Sequence, residues 1–258
     1  MRTPISYYGG KQSMLKHILP MIPEHKIYAE PFFGGGAVFF AKDPATVEVI
    51  NDFNGNVINF YEQLRSNYDE LKTFIDVTLY SRDTYKRALT IYNHPYLFSP
   101  VHRAWAFWVG TLQGFSNMIG SWHSINTHGK EAFSINNRRL SFNRELSDRL
   151  STTQIENRDA VEVIRIMDTA NTFFYIDPPY VGANQGHYHG YNQQHFNELL
   201  QALSDIKGRF ILSSYPNDTL SEYRTKYGWN SKDICVGKTN GKKIEALTFN
   251  YSSNDVHV

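Results

Sequence analysis

The sequence predicts an α/β sandwich with a second, smaller domain, on three observations. Apolar runs of strand length alternate with helix-length patterns at both ends of the chain. A mainly helical stretch, about 57–150, interrupts that alternation. The strand-like runs ending at Glu30 and Ile176 each lead into a Gly- or Pro-rich turn, the kind of place where α/β sheets bind ligands. At 258 residues the chain has room for one large domain or for a core carrying an inserted lobe.

The elements follow in order. Lys26–Glu30 reads as a short strand ending at Pro31, and Val47–Ile50 as a second, buried one. Helical patterns dominate from about Val57 to Ile91, with Val57, Phe60, Tyr61 and Leu64 at helix-like intervals. A further apolar helix covers His102–Leu112. From Gln113 to Asn143 periodicity is lost. Gly, Ser, Asn and His are dense there, mixed with Phe115, Met118, Trp122 and Phe133, which predicts an irregular surface lobe or hairpin. Helical character returns at Arg144–Leu150. Thr153–Glu156 and Thr172–Ile176 read as strands, Phe196–Ile206 as an amphipathic helix and Arg209–Ser213 as another strand. Asp233–Val236 and Glu245–Tyr251 form a terminal hairpin, with Asn240-Gly241 between them favouring a turn.

Composition limits the possible functions. A formal net charge of +1 does not announce a nucleic-acid binder, so such a role needs a local basic patch. Aromatic residues make up 15% of the chain; most belong in a core, and some are available as platforms for stacking bases. One cysteine, Cys235, rules out an intrachain disulfide and fits a reducing compartment. No N-terminal signal-like segment and no membrane-length apolar run occur, so a soluble cytoplasmic protein is expected.

Glu30-Pro31-Phe32-Phe33-Gly34-Gly35-Gly36 follows the first strand, and its glycines allow backbone to approach a ligand closely. Asp52 closes the second strand, sixteen residues after Gly36, a spacing that suits a carboxylate accepting from ribose hydroxyls. A nicotinamide dinucleotide site is the rival, but Phe39 stands where its fingerprint needs Gly or Ala. No phosphate-loop motif occurs either. Tyr7-Tyr8-Gly9-Gly10-Lys11-Gln12 reads as a cofactor lid, with Lys11 near a carboxylate and Tyr7 over the pocket, or as a plain N-terminal turn with a solvated lysine.

Asp177-Pro178-Pro179-Tyr180, directly after the apolar run Thr172–Ile176, is the most specific stretch. An aromatic amine is a poor nucleophile because its lone pair is delocalised. The Asp177 carboxylate and the Pro178 carbonyl can accept its two N–H bonds, freeing the lone pair and stabilising positive charge on nitrogen. The prolines fix φ and remove backbone donors, and Tyr180 offers a face for stacking. This points to methylation of an amino group on a nucleic-acid base, with the base extruded from the duplex. A strand ending in a Pro-Pro turn with a surface tyrosine is the bland alternative.

Together these motifs resemble the Dam-type (D12 class, alpha group) site-specific DNA adenine-N6 methyltransferases, through nearly the whole chain. The resemblance implies S-adenosylmethionine as methyl donor, no metal, and double-stranded DNA as partner. It implies a Rossmann-like sheet of seven mostly parallel strands ending in an antiparallel hairpin, formed by 1–56 and 151–258, with 57–150 as an inserted, mainly helical target-recognition domain. The implied catalytic residues are Asp177, Pro178, Pro179 and Tyr180. The implied cofactor contacts are Tyr7, Lys11, Glu30, Phe32, Phe33, Gly34, Gly36, Asp52 and Asp177, together with Asp159, which resembles the acid that binds the cofactor's adenine amine. Relatives often have Phe after that acid, where this chain has Ala160.

For DNA, Arg103, Lys130, Arg138, Arg139 and Arg144 face only Glu131 between Val101 and Arg144, a modest basic patch. Gly114-Phe115-Ser116-Asn117-Met118 resembles the start of the family's recognition segment. Ser116, Asn117 and Met118 are candidates for base edges or for a wedge beside the flipped base, and Arg138 or Arg139 for a bidentate guanine contact. GATC is one candidate target. GATC-specific relatives tend to carry an Arg where this chain has Gly120-Ser121-Trp122, and a Pro-Phe-Gly-basic stretch where it has Ile135-Asn136-Asn137-Arg138.

Cytosine-N4 methylation is the runner-up chemistry, and a catalytically silent DNA-binding relative is the non-enzymatic one. Cytosine-C5 methylation needs a nucleophilic cysteine, usually after proline, which Cys235 is not. His187, His189 and His195 invite a metal reading, but no cysteine or acid completes the set. A Gly-hinged loop closing near the base suits Gly186–Tyr191 better.

Overall fold

The computed structural model describes residues 1–124, 130–182, 190–236 and 243–252, with only the backbone for 130–134, 236 and 243. In chain order the elements are α1 (Leu15–Ile18), β1 (Ile27–Glu30), α2 (Ala37–Ala41), β2 (Val47–Asn51), α3 (Gly55–Ser66), α4 (Tyr68–Asp76), α5 (Arg82–Asn93) and α6 (Pro100–Gln113). They continue as α7 (Lys130–Leu140), α8 (Arg144–Asp148), β3 (Gln154–Glu156), α9 (Ala160–Met167), β4 (Thr172–Ile176), α10 (Gln193–Asp205), β5 (Arg209–Ser214), α11 (Asp218–Tyr227), β6 (Asn230–Val236) and β7 (Lys243–Phe249).

The strands form one seven-stranded sheet in the order β3-β2-β1-β4-β5-β7-β6. β1 to β5 are parallel, whereas β7 runs antiparallel to both β5 and β6. The chain builds outward from β1 to β3 on one side, then returns to add β4 and β5 on the other. The order therefore reverses between β1 and β4, which opens a crevice at their carboxyl ends.

Strand periodicity divides the core. On β4, Phe173 and Tyr175 enter the cluster beneath α3 and α6, while Phe174 and Ile176 enter the one beneath α9, α10 and α11. All five residues of β4 are buried, as expected for a parallel strand covered on both faces. The helices inserted between β2 and β3 share the first cluster: Phe60, Tyr61, Leu64, Phe107 and Trp108 pack there with Phe39 and Phe173. The Trp108 indole also donates to the Pro4 carbonyl at 3.1 Å, tying α6 to the N-terminal segment.

Capping explains where helices begin earlier than their apolar pattern. Ser99 accepts from His102 N, and Pro100 occupies the first turn, so α6 starts before His102. Asn192 forms a capping box with His195, which starts α10 three residues before Phe196 and gives that histidine a local structural task.

The 113–143 region departs from the expected irregular lobe. Gly114 bridges Trp122 as in a hairpin, but Lys130–Leu140 is a helix. Its apolar pattern is too sparse to announce it; Ile135 is buried, and the Arg138 guanidinium is tethered to the Thr3 carbonyl at 2.6 Å. Helices α1, α2, α9 and α11 were not anticipated either, three of them being eight residues or shorter. The Asn240-Gly241 turn lies outside the described residues, although the two strands beside it pair as expected. Among the described residues no helix is long and apolar enough to cross a membrane.

A buried ion cluster joins the end of the insert to the sheet. Glu48 on β2 accepts from Lys42 Nζ at 2.7 Å, from Arg149 Nη2 at 2.8 Å and also from Arg149 Nη1. The Arg149 guanidinium lies 3.8 Å above the Phe39 ring. Removing the shared acid strands two buried cations. Glu48→Ala is expected to lower stability by about 3–5 kcal/mol in urea titration; a loss below about 1 kcal/mol would show that the cluster does not hold the insert.

Candidate active site

The switch point holds a cavity of about 700 Å³, within the usual size range of small-molecule sites. Its walls come from the N-terminal segment, the turn after β1, the tetrad after β4, Tyr215 after β5 and Glu245 on β7.

The turn after β1 is shaped by backbone that glycine adopts readily. Gly34 and Gly36 have φ of 47° and 65°. A Cβ at Gly36 would lie 2.5 Å from the Phe33 ring, and one at Gly34 would lie 2.8 Å from the Tyr7 ring, which covers the turn. Asp52 holds this shape: Oδ2 accepts from Gly34 N at 2.8 Å and Oδ1 from Asn54 N at 2.8 Å. The Tyr61 hydroxyl donates to the Gly34 carbonyl at 3.1 Å. Asn51 bridges the neighbouring loops, donating to Pro31 O and Arg158 O and accepting from Arg158 N.

A charged centre forms the floor. Lys11 Nζ lies 2.9 Å from Asp177 and 3.7 Å from Glu245, and donates to the Gly9 carbonyl at 3.0 Å. Burial works against the ammonium, but the two carboxylates outweigh it and hold its pKa above the ordinary lysine value. Burial pushes the Asp177 carboxyl up to about 6, although Lys11 pulls the other way. Glu30, fully buried, is pushed up to about 8 by burial and by Asp177, against the hydrogen bond from the Tyr28 hydroxyl at 2.7 Å. Tyr180 donates to Glu245 at 2.9 Å, its ring lies 4.9 Å from Lys11 Nζ, and Tyr215 meets it edge-on at 4.5 Å.

Tyr7, Lys11, Glu30, Phe32, Phe33, Gly34, Gly36, Asp177, Pro178, Pro179 and Tyr180 thus share one cavity wall. Asn117 and Arg138 reach the same cavity from the insert. Asp52 is buried directly behind the wall, and Asp159 caps α9 through bonds from Val161 N and Glu162 N. Ser116 and Asn117 adopt positive φ, 55° and 60°, in a tight exposed turn where Asn117 lines the cavity and Met118 follows it. Arg139 turns away to the Asp76 carbonyl, and Arg144 pairs with Asp69 on the exposed surface. The side chain of Lys130 and the stretch 183–189, with His187 and His189, lie outside the described residues.

A model of the D12 class N6 adenine-specific DNA methyltransferases matches residues 7–234. The chain belongs to this family. A Lactococcus lactis subsp. cremoris relative, type II methyltransferase M1.LlaDCHI, is 26% identical over 94% of this chain and 90% of its own length. The DNA N-6-adenine-methyltransferase of Escherichia phage P1 is 33% identical, over 41% of this chain and 14% of that protein. Among solved structures, an rRNA methylase from Streptococcus thermophilus covers 92% of this chain and 94% of its own at 9% identity, with a TM-score of 0.37, too low to carry an argument.

Two residues here carry no motif in the sequence: Glu245, which lines the cavity, and Ser213, whose hydroxyl donates to Glu245. In the sequence Glu245 reads only as a hairpin strand residue and Ser213 only as a strand end. An acid buried within a strand, between Ile244 and Ala246-Leu247, was the available signal for the first; nothing local marks the second.

The pKa coupling is testable. Lys11 lowers the Asp177 pKa, so Lys11→Met is expected to move it further above about 6. Carboxyl carbon NMR across pH reads this directly; an unchanged or lower value would refute the coupling.

Proposed function

We propose that this chain transfers the methyl group of S-adenosylmethionine to the N6 amine of an adenine within a specific short duplex DNA sequence. The observation that carries the reading is the Asp177 carboxylate, half-buried at the end of β4, in the same cavity as the Gly34–Gly36 turn and paired with Lys11. Family membership supplies the amino-methyl chemistry, and the site's own residues fit it.

The cavity suits a cationic ligand. Glu30 and Asp177 are both held above the usual carboxylate range, so a nearby positive charge would stabilise their ionised forms. At Gly34 and Gly36 any Cβ would collide with the Tyr7 and Phe33 rings, so glycine is what lets those rings close against the turn. When bound, S-adenosylmethionine supplies an electrophilic methyl on a sulfonium. Glu30, Lys11 and the turn after β1 would bind and orient it, with Tyr7 as cover and Asp52 keeping the turn in shape. Asp52 and Asp159 remain proposed cofactor contacts for the ribose and the adenine amine.

On the target side, the amine nitrogen would take that methyl group, and the residues around it would have to stabilise the positive charge it gains. Asp177 and the Pro178 carbonyl accept the two N–H bonds and stabilise the cationic nitrogen before a proton leaves it. Tyr180 stacks on the extruded base, and the prolines keep backbone donors away. Most of the acceleration comes from placement and fixed electrostatics.

The insert, 57–150, is the proposed target-recognition region. Asn117 and Arg138 meet DNA at the cavity mouth. Arg138 already bonds the Thr3 carbonyl and keeps donors for a phosphate or a guanine. Ser116 and Met118 lie beside the flipped base, and Lys130 and Arg139 contribute backbone contacts. GATC stays a candidate target.

Tritiated-methyl transfer to duplex DNA tests the reading. Wild type is expected to label adenine N6; label on cytosine N4, or none, refutes it. Single-molecule sequencing of DNA from expressing cells then reads the motif. Asp177→Ala is expected to lower transfer by at least about 100-fold, while calorimetry with S-adenosylhomocysteine still detects binding; retained turnover would remove Asp177 from its assigned role. Because Asp177 must be ionised to accept its N–H bond and to stabilise the cationic nitrogen, kcat should rise with pH through about 6 and level off above it. A profile flat through that range would contradict the role.

A further inference from the structure

Glu245 has no part in the reaction as derived above, yet its carboxylate is buried, at 7% exposure, beside the reacting groups. β7 runs antiparallel to β5, so the start of β7 lies at the sheet edge where β4 and β5 end. This brings Glu245 to Tyr180, 65 residues away in sequence. A carboxylate removed from water within a strand needs partners, and these are specific. The Tyr180 hydroxyl donates to Oε1 at 2.9 Å and the Ser213 hydroxyl donates to the same oxygen at 2.5 Å. The two hydroxyls are themselves 2.9 Å apart, and Lys11 Nζ is 3.7 Å from Oε1.

These contacts do two things. A tyrosine anchored at its hydroxyl and met edge-on by Tyr215 has little freedom to tilt its ring. Lys11, shared between two carboxylates, is not committed wholly to Asp177. We propose that Glu245 is a positioning residue of the methyl transfer, fixing the plane of Tyr180 against the target base and drawing the Lys11 ammonium partly away from Asp177. The proposal rests on the reading of the site as an adenine methyltransferase centre.

The electrostatic consequence has a definite sign. Asp177 faces Lys11, Glu245, Glu30, Tyr175 and Tyr180. Of these, Lys11 and a hydrogen bond from Tyr180 lower its pKa, and Glu245 raises it. Neutralising Glu245 removes an upward push and releases Lys11 to Asp177, so both changes act downward.

Glu245→Gln, which keeps an acceptor for the two hydroxyls but loses the charge, is compared with wild type in the same methyl-transfer assay across pH. The expected result is a kcat lowered by about 10- to 100-fold, S-adenosylhomocysteine affinity within about threefold, and an acid limb displaced to lower pH. Ser213→Ala, with the charge intact, should lower kcat while leaving the acid limb in place. It also serves as the test of the Tyr180 anchor if Glu245→Gln fails to fold. If wild type transfers methyl groups and Glu245→Gln keeps both its kcat and its acid limb, this inference fails alone. A lowered kcat with an unmoved acid limb also overturns it, leaving only packing. No transfer by wild type would instead refute the underlying reading. Should only Ser213→Ala fold, an unchanged kcat for it overturns the anchoring.

Discussion

The ion pair between Lys11 and Asp177 sets the terms for the rest of the site. It joins the N-terminal segment to the end of β4 at 2.9 Å in a region from which water is largely excluded. Holding Lys11 there also places Tyr7 over the Gly34 turn, because only the short Tyr8-Gly9-Gly10 link separates the two. The pair does not fully offset burial. Asp177 and Glu30 keep pKa values above those of free carboxyls, so their ionisation opposes folding. The sign follows from linkage: this part of the stability is present at low pH and is lost as pH rises through about 6 and then about 8. Such groups are held in place by the surrounding fold, and they are the groups that gain most from a cationic ligand.

That surrounding fold is a sheet whose order reverses between β1 and β4. The reversal creates the crevice, and side chains behind it keep the loops in register. Asn51 links the ends of β1 and β2 to the loop after β3, and Asp52 fixes the glycine turn through the Gly34 amide. On the far side of the sheet edge, β7 enters antiparallel and delivers Glu245. The cavity is therefore assembled from seven separate chain segments, five of them at the sheet and two, at Asn117 and Arg138, from the helices inserted between β2 and β3.

Much of this was legible in the residues. The fully apolar Thr172–Ile176 run identified a central strand to the residue, because a strand buried on both faces has no polar alternation to blur its ends. The Gly34–Gly36 turn and the Asp177–Tyr180 tetrad are visible as motifs because each is contiguous; the first needs positive φ and the second combines an acid with two prolines. Helices α9 and α11 and the 130–140 helix were missed. α9 is only eight residues long, and the other two have modest apolar content, so packing against the rest of the molecule supplies what propensity lacks. Charge counting along 101–144 also misses Asp69, which pairs with Arg144 from another helix.

By itself, then, the sequence determined the α/β class, the central strand, the glycine turn and the acid–proline–proline–tyrosine tetrad, since period, φ preference and local chemistry are properties of neighbouring residues. Tertiary structure alone decided that Asp52 shapes the turn, that Arg138 and Asn117 reach the cavity while Arg139 does not, and that Glu245 and Ser213 hold Tyr180. Those outcomes depend on strand order and direction. Residues that share no local pattern meet only because β7 runs antiparallel beside β5, an arrangement set by how the whole core packs rather than by any one segment of the chain.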